Sequence, residues 1–165
     1  MNRNLRFEKQ FRRSPEEAYR WFSDPARLER WFFPVHWCVT NIVFEDRPGG
    51  RFEVHLRPAN GGPYAQESSA TMQSENIKHA SNDGMSVLGR IREADYGKRL
   101  SFSWRWRGPM EHWPETMVQI DFERIDTGCL VIVNQGLFES AEQEEAHVQG
   151  WNEAFVHLKD EGVID

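Results

Sequence analysis

Cysteine, lysine and long apolar runs are all scarce in this sequence. Its 165 residues hold two cysteines, Cys38 and Cys129, far apart and with no CxxC spacing. A disulfide framework and a clustered thiolate metal site are therefore disfavoured, and both are read as buried thiols of a reducing compartment, with a disulfide or metal pair as the lesser alternative. No apolar stretch approaches the roughly 20 residues that span a bilayer. Met1-Asn2-Arg3-Asn4 leads into a charged segment, so no secretory signal is expected and the reading is cytoplasmic. A formal net charge of -6 argues against a nucleic-acid binder. Only four lysines stand beside sixteen arginines, an imbalance that composition alone does not explain.

Aromatic residues are plentiful. They make up 13% of the chain, with seven Trp and eleven Phe. Large flat side chains in this number serve either a bulky core or the wall of a cavity. The length suits one domain, 1–165, and the hydrophobic share of 39% suffices for a core. The stretch from Arg57 to Ser86 is rich in Asn, Gly, Ser and Pro, and is read as an insertion within that domain.

Periodicity orders the rest. Leu5, Phe7 and Phe11 alternate with polar residues, which predicts a half-buried strand. Ser14-Pro15-Glu16-Glu17 combines an N-cap, a proline at the first helical position and a capping-box glutamate. Asp24-Pro25 ends that helix and caps a second one carrying Leu28, Trp31 and Phe32 up to Pro34. Strands are expected over Trp37–Glu45, Arg51–Leu56, Val87–Ala94, Leu100–Arg107, Thr116–Arg124 and Cys129–Gln135, with turns at Asp46–Gly50 and Asp126–Gly128. Ser140 and Gln143 open a last helix in which Val148, Trp151, Phe155 and Leu158 share one face, and Gly162 stops it. The expected class is α+β: a curved antiparallel sheet wrapped around a long C-terminal helix, with two short helices after the first strand.

Such a sheet leaves a hollow beside the helix. Alternation directs Phe52, Phe102, Trp104, Trp106, Val118, Ile120, Phe122, Leu130 and Ile132 toward it, with Trp151 and Phe155 facing them from the helix. Its polar candidates are Asn134, His147 and Asn152, with Arg90 near the opening. The same alternation turns Arg105 and Arg107 outward, which removes the aromatic stacking a nucleic-acid surface needs. His147 follows Glu144 by three residues, but one Glu-x-x-His step on a sheet-facing helix is read as a solvated surface. His36 and His112 adjoin Trp37 and Trp113 at positions suited to an opening. No HExxH, phosphate loop, GxSxG elbow or catalytic triad spacing is found, so no metal, no cofactor and no catalytic residue is assigned.

Five short segments, in order, resemble the family named for the activator of heat-shock-protein-90 ATPase. They are Ser14–Glu17 through Asp24-Pro25 to Arg30-Trp31-Phe32, Arg47-Pro48-Gly49-Gly50-Arg51-Phe52, Gly89-Arg90-Ile91, Leu100-Ser101-Phe102-Ser103-Trp104, and Gly150-Trp151. The resemblance implies the helix-grip fold of the SRPBCC superfamily, shared with START domains, birch-pollen allergens and aromatic-polyketide cyclases. It also implies an interior cavity for an apolar ligand. A frequent family histidine near the end of the last strand falls at Asn134 here. The functional expectation is binding of a small hydrophobic or amphipathic molecule. The alternatives are an enzyme of cyclase or hydratase type and a chaperone-interacting activator, for which the long loop and the Arg105/Arg107 face would be the contact surface. A homodimer is possible.

Overall fold

A computed structural model describes residues 3–59 and 84–165. The expected insertion falls largely on residues 60–83, outside the described residues; its flanks belong to strands. β1 (Arg3–Phe11) is followed by α1 (Pro15–Ser23) and α2 (Pro25–Leu28). Then come β2 (Trp37–Phe44), β3 (Arg51–Pro58), β4 (Met85–Asp95), β5 (Arg99–Arg107), β6 (Thr116–Ile125) and β7 (Gly128–Phe138). The last helix, α3, is Ala141–Asp160. The strands form one antiparallel sheet in the order β1-β7-β6-β5-β4-β3-β2. This is the α+β helix-grip architecture: a curled half-barrel closed around α3.

Local chemistry sets the helix boundaries. The Ser14 hydroxyl accepts the Glu17 amide at 3.2 Å, and the Asp24 carboxylate accepts the Ala26 amide at 3.0 Å. Glu17 does not close a capping box; its carboxylate pairs with Arg20 and Arg27. α2 is one turn only, and Trp31 and Phe32 lie beyond it on a tight turn rather than on a longer helix. At the start of α3 the capping box is complete: Ser140 accepts the Gln143 amide at 3.1 Å, while the Gln143 side chain accepts the Glu139 amide at 2.8 Å.

The core divides into two ends. At one end α1 and the turn after α2 insert Tyr19, Phe22 and Trp31 against Phe11, Phe122 and Phe155. The Trp31 indole donates to the Trp21 carbonyl at 2.9 Å, so this large ring is buried with its polar atom satisfied. Phe102, Val118 and Ile120 are buried in the middle of the sheet, as their alternation predicts.

β7 departs from the expected phase. Cys129, Val131, Val133 and Gln135 face the helix, because Val133 stands opposite Phe7 and Ile120 in the ladders. Leu130, Ile132 and Asn134 take the other face; Asn134 pairs with Arg6 and Gln119. Both phases of Leu130–Val133 are apolar, so alternation within the strand did not settle its direction; the neighbouring strands did.

Gly89 bends β4. A Cβ on it would overlap the carbonyl oxygen of Ser103, and the neighbouring Arg90 amide donates to the Ser103 hydroxyl at 2.8 Å. The register shifts just beyond, between Ile91 and Glu93. Ser103, outward by alternation, is buried by this close approach. We expect Gly89→Ala to destabilise the fold by about 3 kcal/mol in a denaturant melt, since the backbone must open to admit one methyl group.

A candidate ligand cavity between the helix and the sheet

The second end of the core is hollow. A cavity of about 600 Å³ lies between the middle of α3, the turn after α2 and the ends of β3, β4 and β5. The sheet contributes Val54, Leu56, Met85, Val87, Trp104 and Trp106. The turn after α2 contributes Phe32 through Trp37, and the segment after β5 contributes Met110 and Trp113. From α3 come Ala146, Gly150 and Ala154, four residues apart on one face, beside His147 and Trp151. These small residues leave room where larger ones would have filled it.

Of the residues the sequence assigned to a ligand, Trp104, Trp106, His147 and Trp151 meet at this cavity. Phe52, Phe102, Val118, Ile120 and Phe155 are buried in packed core away from it. Three expected polar contacts lie elsewhere. Asn134 is on the outer face of the sheet, for the phase reason given above. Arg90 is exposed on the outer face of β4, its guanidinium 3.4 Å from the Gly49 carbonyl. Asn152 is exposed on α3. Of the two histidines expected at an opening, His36 lines this one and His112 does not, although its neighbour Trp113 does. Sequence reasoning missed Val35, Val54, Leu56, Met85 and Val87, and the Ala146-Gly150-Ala154 stripe was the signal that would have located the space.

His147 is not a solvated surface residue; it is 5% exposed. Its Nδ1–H donates to the Gln143 carbonyl at 2.7 Å, and its Nε2 accepts the Trp106 indole N–H at 2.9 Å. That pair of bonds selects one neutral tautomer. The rings of Trp104, Trp106, Trp113 and Phe138 surround it. Glu153 is likewise engaged: its two oxygens accept the Val35 amide and the Gln149 side-chain amide, each at 2.9 Å. Deeper in, the Trp151 indole donates to Gln135 Oε1 at 2.8 Å, and Gln135 Nε2 donates to the Thr116 hydroxyl at 2.9 Å. Gln135, not Asn134, is the inward amide of β7. Among the described residues no group of three or more His, Cys, Asp or Glu side chains is placed to hold a metal ion. Cys129 is a free, buried thiol whose pKa desolvation pushes up to about 11, and Cys38 is free and half-buried.

The family model described as activator of Hsp90 ATPase homolog 1-like protein matches residues 12–161. The chain belongs to this family. Among solved structures, the AHSA1 protein from Silicibacter pomeroyi is 20% identical, covers 96% of each chain and superposes with a TM-score of 0.73. A protein from Chromobacterium violaceum is 20% identical over 94% of this chain and 93% of its own, with a TM-score of 0.71. CalU16 from Micromonospora echinospora is 18% identical over 96% of this chain and 74% of its own, with a TM-score of 0.62. At these identities the likeness is one of fold. No curated protein matches the chain. Among the described residues of this AHSA1-like domain, no helix is long and apolar enough to cross a membrane.

Burial pulls the His147 pKa below its ordinary 6.5, opposed in part by the bond to Gln143, which favours the charged ring. The unfolded chain therefore takes up a proton that the folded domain refuses. Its contribution to stability is complete above pH 6.5 and is lost as pH falls below that value. We expect stability to decline through this acid window in denaturant melts at stepped pH. His147→Leu removes that part of the decline. It also costs about 1–3 kcal/mol at neutral pH by orphaning the Trp106 indole.

Proposed function

We propose that this AHSA1-like domain binds a small hydrophobic or amphipathic molecule in the cavity between α3 and the sheet. The observation that carries the reading is a hollow of about 600 Å³ walled by Trp104, Trp106, Trp113, Trp151 and aliphatic side chains, in a chain whose other end is tightly packed. That volume and lining suit a small organic ligand. A solid core would instead have used the aromatic excess to fill the space.

Binding is a better reading than catalysis of the cyclase or hydratase kind. A general acid or base needs a titratable group free to exchange a proton with its substrate. Of the titratable side chains that line the cavity, His147 and Glu153 are each committed at both heteroatoms, and His36 lies exposed at the rim rather than inside the hollow. The chaperone-activator role that the family description names belongs to a protein surface, and nothing in the cavity bears on it.

Gly150 offers a clean test. It lines the cavity, and a Cβ built on it meets no atom within 4 Å. Gly150→Leu is expected to keep or raise stability by about 1 kcal/mol, since glycine is a poor helix former. It is also expected to weaken uptake of the neutral dye N-phenylnaphthylamine about tenfold, followed by energy transfer from the cavity tryptophans. Dye binding equal in both proteins, or absent from the unmodified one, contradicts the reading.

A further inference from the structure

The arginine excess has a spatial pattern. Ten of the sixteen arginines form ion pairs among the described residues. Of the six that do not, four lie on one surface. Arg57, Arg90, Arg105 and Arg107 are all exposed, and alternation from the inward Leu56, Val87, Trp104 and Trp106 puts them on the outer face of β3, β4 and β5. The ladders place them close together. Arg107 stands opposite Ser86 and Arg105 opposite Leu88, while Arg90 and Arg51 face each other across β4 and β3. Alternate residues repeat at about 7 Å along a strand and neighbouring strands at about 4.8 Å, so the patch presents several guanidinium groups on one side of the curled sheet. The same face also carries Glu53, which is paired with Arg51 and His55, so Arg57, Arg90, Arg105 and Arg107 are its excess positive charge. Further acidic residues, including Glu142, Glu144 and Glu145 on α3 and Glu111 and Glu115 after β5, lie on other elements.

The patch adjoins the cavity. Arg57 directly follows the cavity residue Leu56, and Arg107 directly follows Trp106. The same end of the sheet carries Val35, 41% exposed, with Trp37, Met110 and Trp113 half-buried beside it. Guanidinium groups next to tryptophan and aliphatic side chains match the phosphate layer and the upper acyl layer of a bilayer. A sparingly soluble ligand is held in such a layer.

We propose that this arginine face docks the domain peripherally on an anionic lipid surface. Arg57, Arg105 and Arg107 contact headgroup phosphates, and the acidic side of α3 is turned away. The choice of lipid, rather than a nucleic acid or an acidic polypeptide, rests on the apolar cavity rim beside the charges and on the absence of an aromatic stacking platform among them. It extends the ligand-binding reading, yet can fail separately from it.

The experiment compares sedimentation with vesicles of phosphatidylcholine alone and of phosphatidylcholine with about one-third phosphatidylglycerol. The expected result is binding that requires phosphatidylglycerol and weakens as salt is raised. Arg105→Glu with Arg107→Glu should reduce it about tenfold or more, and Arg105→Gln with Arg107→Gln by less. The Gln pair keeps the test valid if charge reversal harms folding, and thermal melts check both. Dye uptake in vesicle-free solution should be the same in the variants, because neither side chain lines the cavity. Indifference to phosphatidylglycerol, or undiminished binding by both variant pairs, overturns the proposal. So does tighter binding to polyglutamate or to a single-stranded oligonucleotide than to the anionic vesicles. Loss of dye uptake in unmodified protein that still binds vesicles defeats the cavity reading alone.

Discussion

Everything about this domain depends on how α3 is locked inside the sheet, and Trp151 is the lock. Its indole reaches Gln135 on β7, which in turn reaches Thr116 on β6, and all three are buried. A buried amide with its hydrogen bonds made is stabilising, while the same amide one turn out of register would be left unsatisfied at a cost of about 1–3 kcal/mol. The arrangement therefore fixes both the height and the rotation of the helix. One turn toward the N-terminus, His147 closes on Trp106. One turn toward the C-terminus, Phe155 stacks on Trp151 and Trp31.

From that anchor the two ends of the core diverge. Toward the C-terminus of α3, the short helices supply Phe22 and Trp31, and the space is filled ring against ring. On the cavity side, the helix offers Ala146, Gly150 and Ala154 to a sheet that offers tryptophans, and the mismatch in size leaves the cavity. Glu153 ties the turn after α2 to the helix through the Val35 amide, so one rim is held in place by the same helix that forms the floor. The Trp106 and Trp151 indoles, His147 and Glu153 are each paired with protein groups, while the buried indole nitrogen of Trp104 has no partner among the described residues.

The fold was legible where the sequence repeated its message. β5 alternates without a break, α3 carries a capping box, a face and a glycine stop, and Ser14-Pro15 marks α1 outright. The site was legible only in part. Trp104, Trp106 and Trp151 were found because bulky inward rings are easy to see. For His147 the sequence points both ways, toward the hollow by its place on α3 and toward solvent by its Glu-x-x-His step, and the tertiary contact with Trp106 settles it as buried. The sequence does not separate Asn134 from Gln135 as the inward amide, because Leu130, Val131, Ile132 and Val133 are apolar in both phases. Arg90 was expected at the opening, but the face a strand residue takes depends on register, which no single strand encodes. Empty space has no sequence signal of its own; here it shows only as three small residues spaced by four.

The central claim is a division of one core into a packed half and a hollow half by the Trp151–Gln135 contact. Crystals held under xenon pressure test it most directly, because xenon enters apolar space and not close-packed interior. The account predicts xenon density between Trp104, Trp106 and the Ala146–Ala154 face of α3, and none among Phe22, Trp31 and Phe122. Xenon in the second place, or a first place filled by repacked tryptophan side chains, would contradict it.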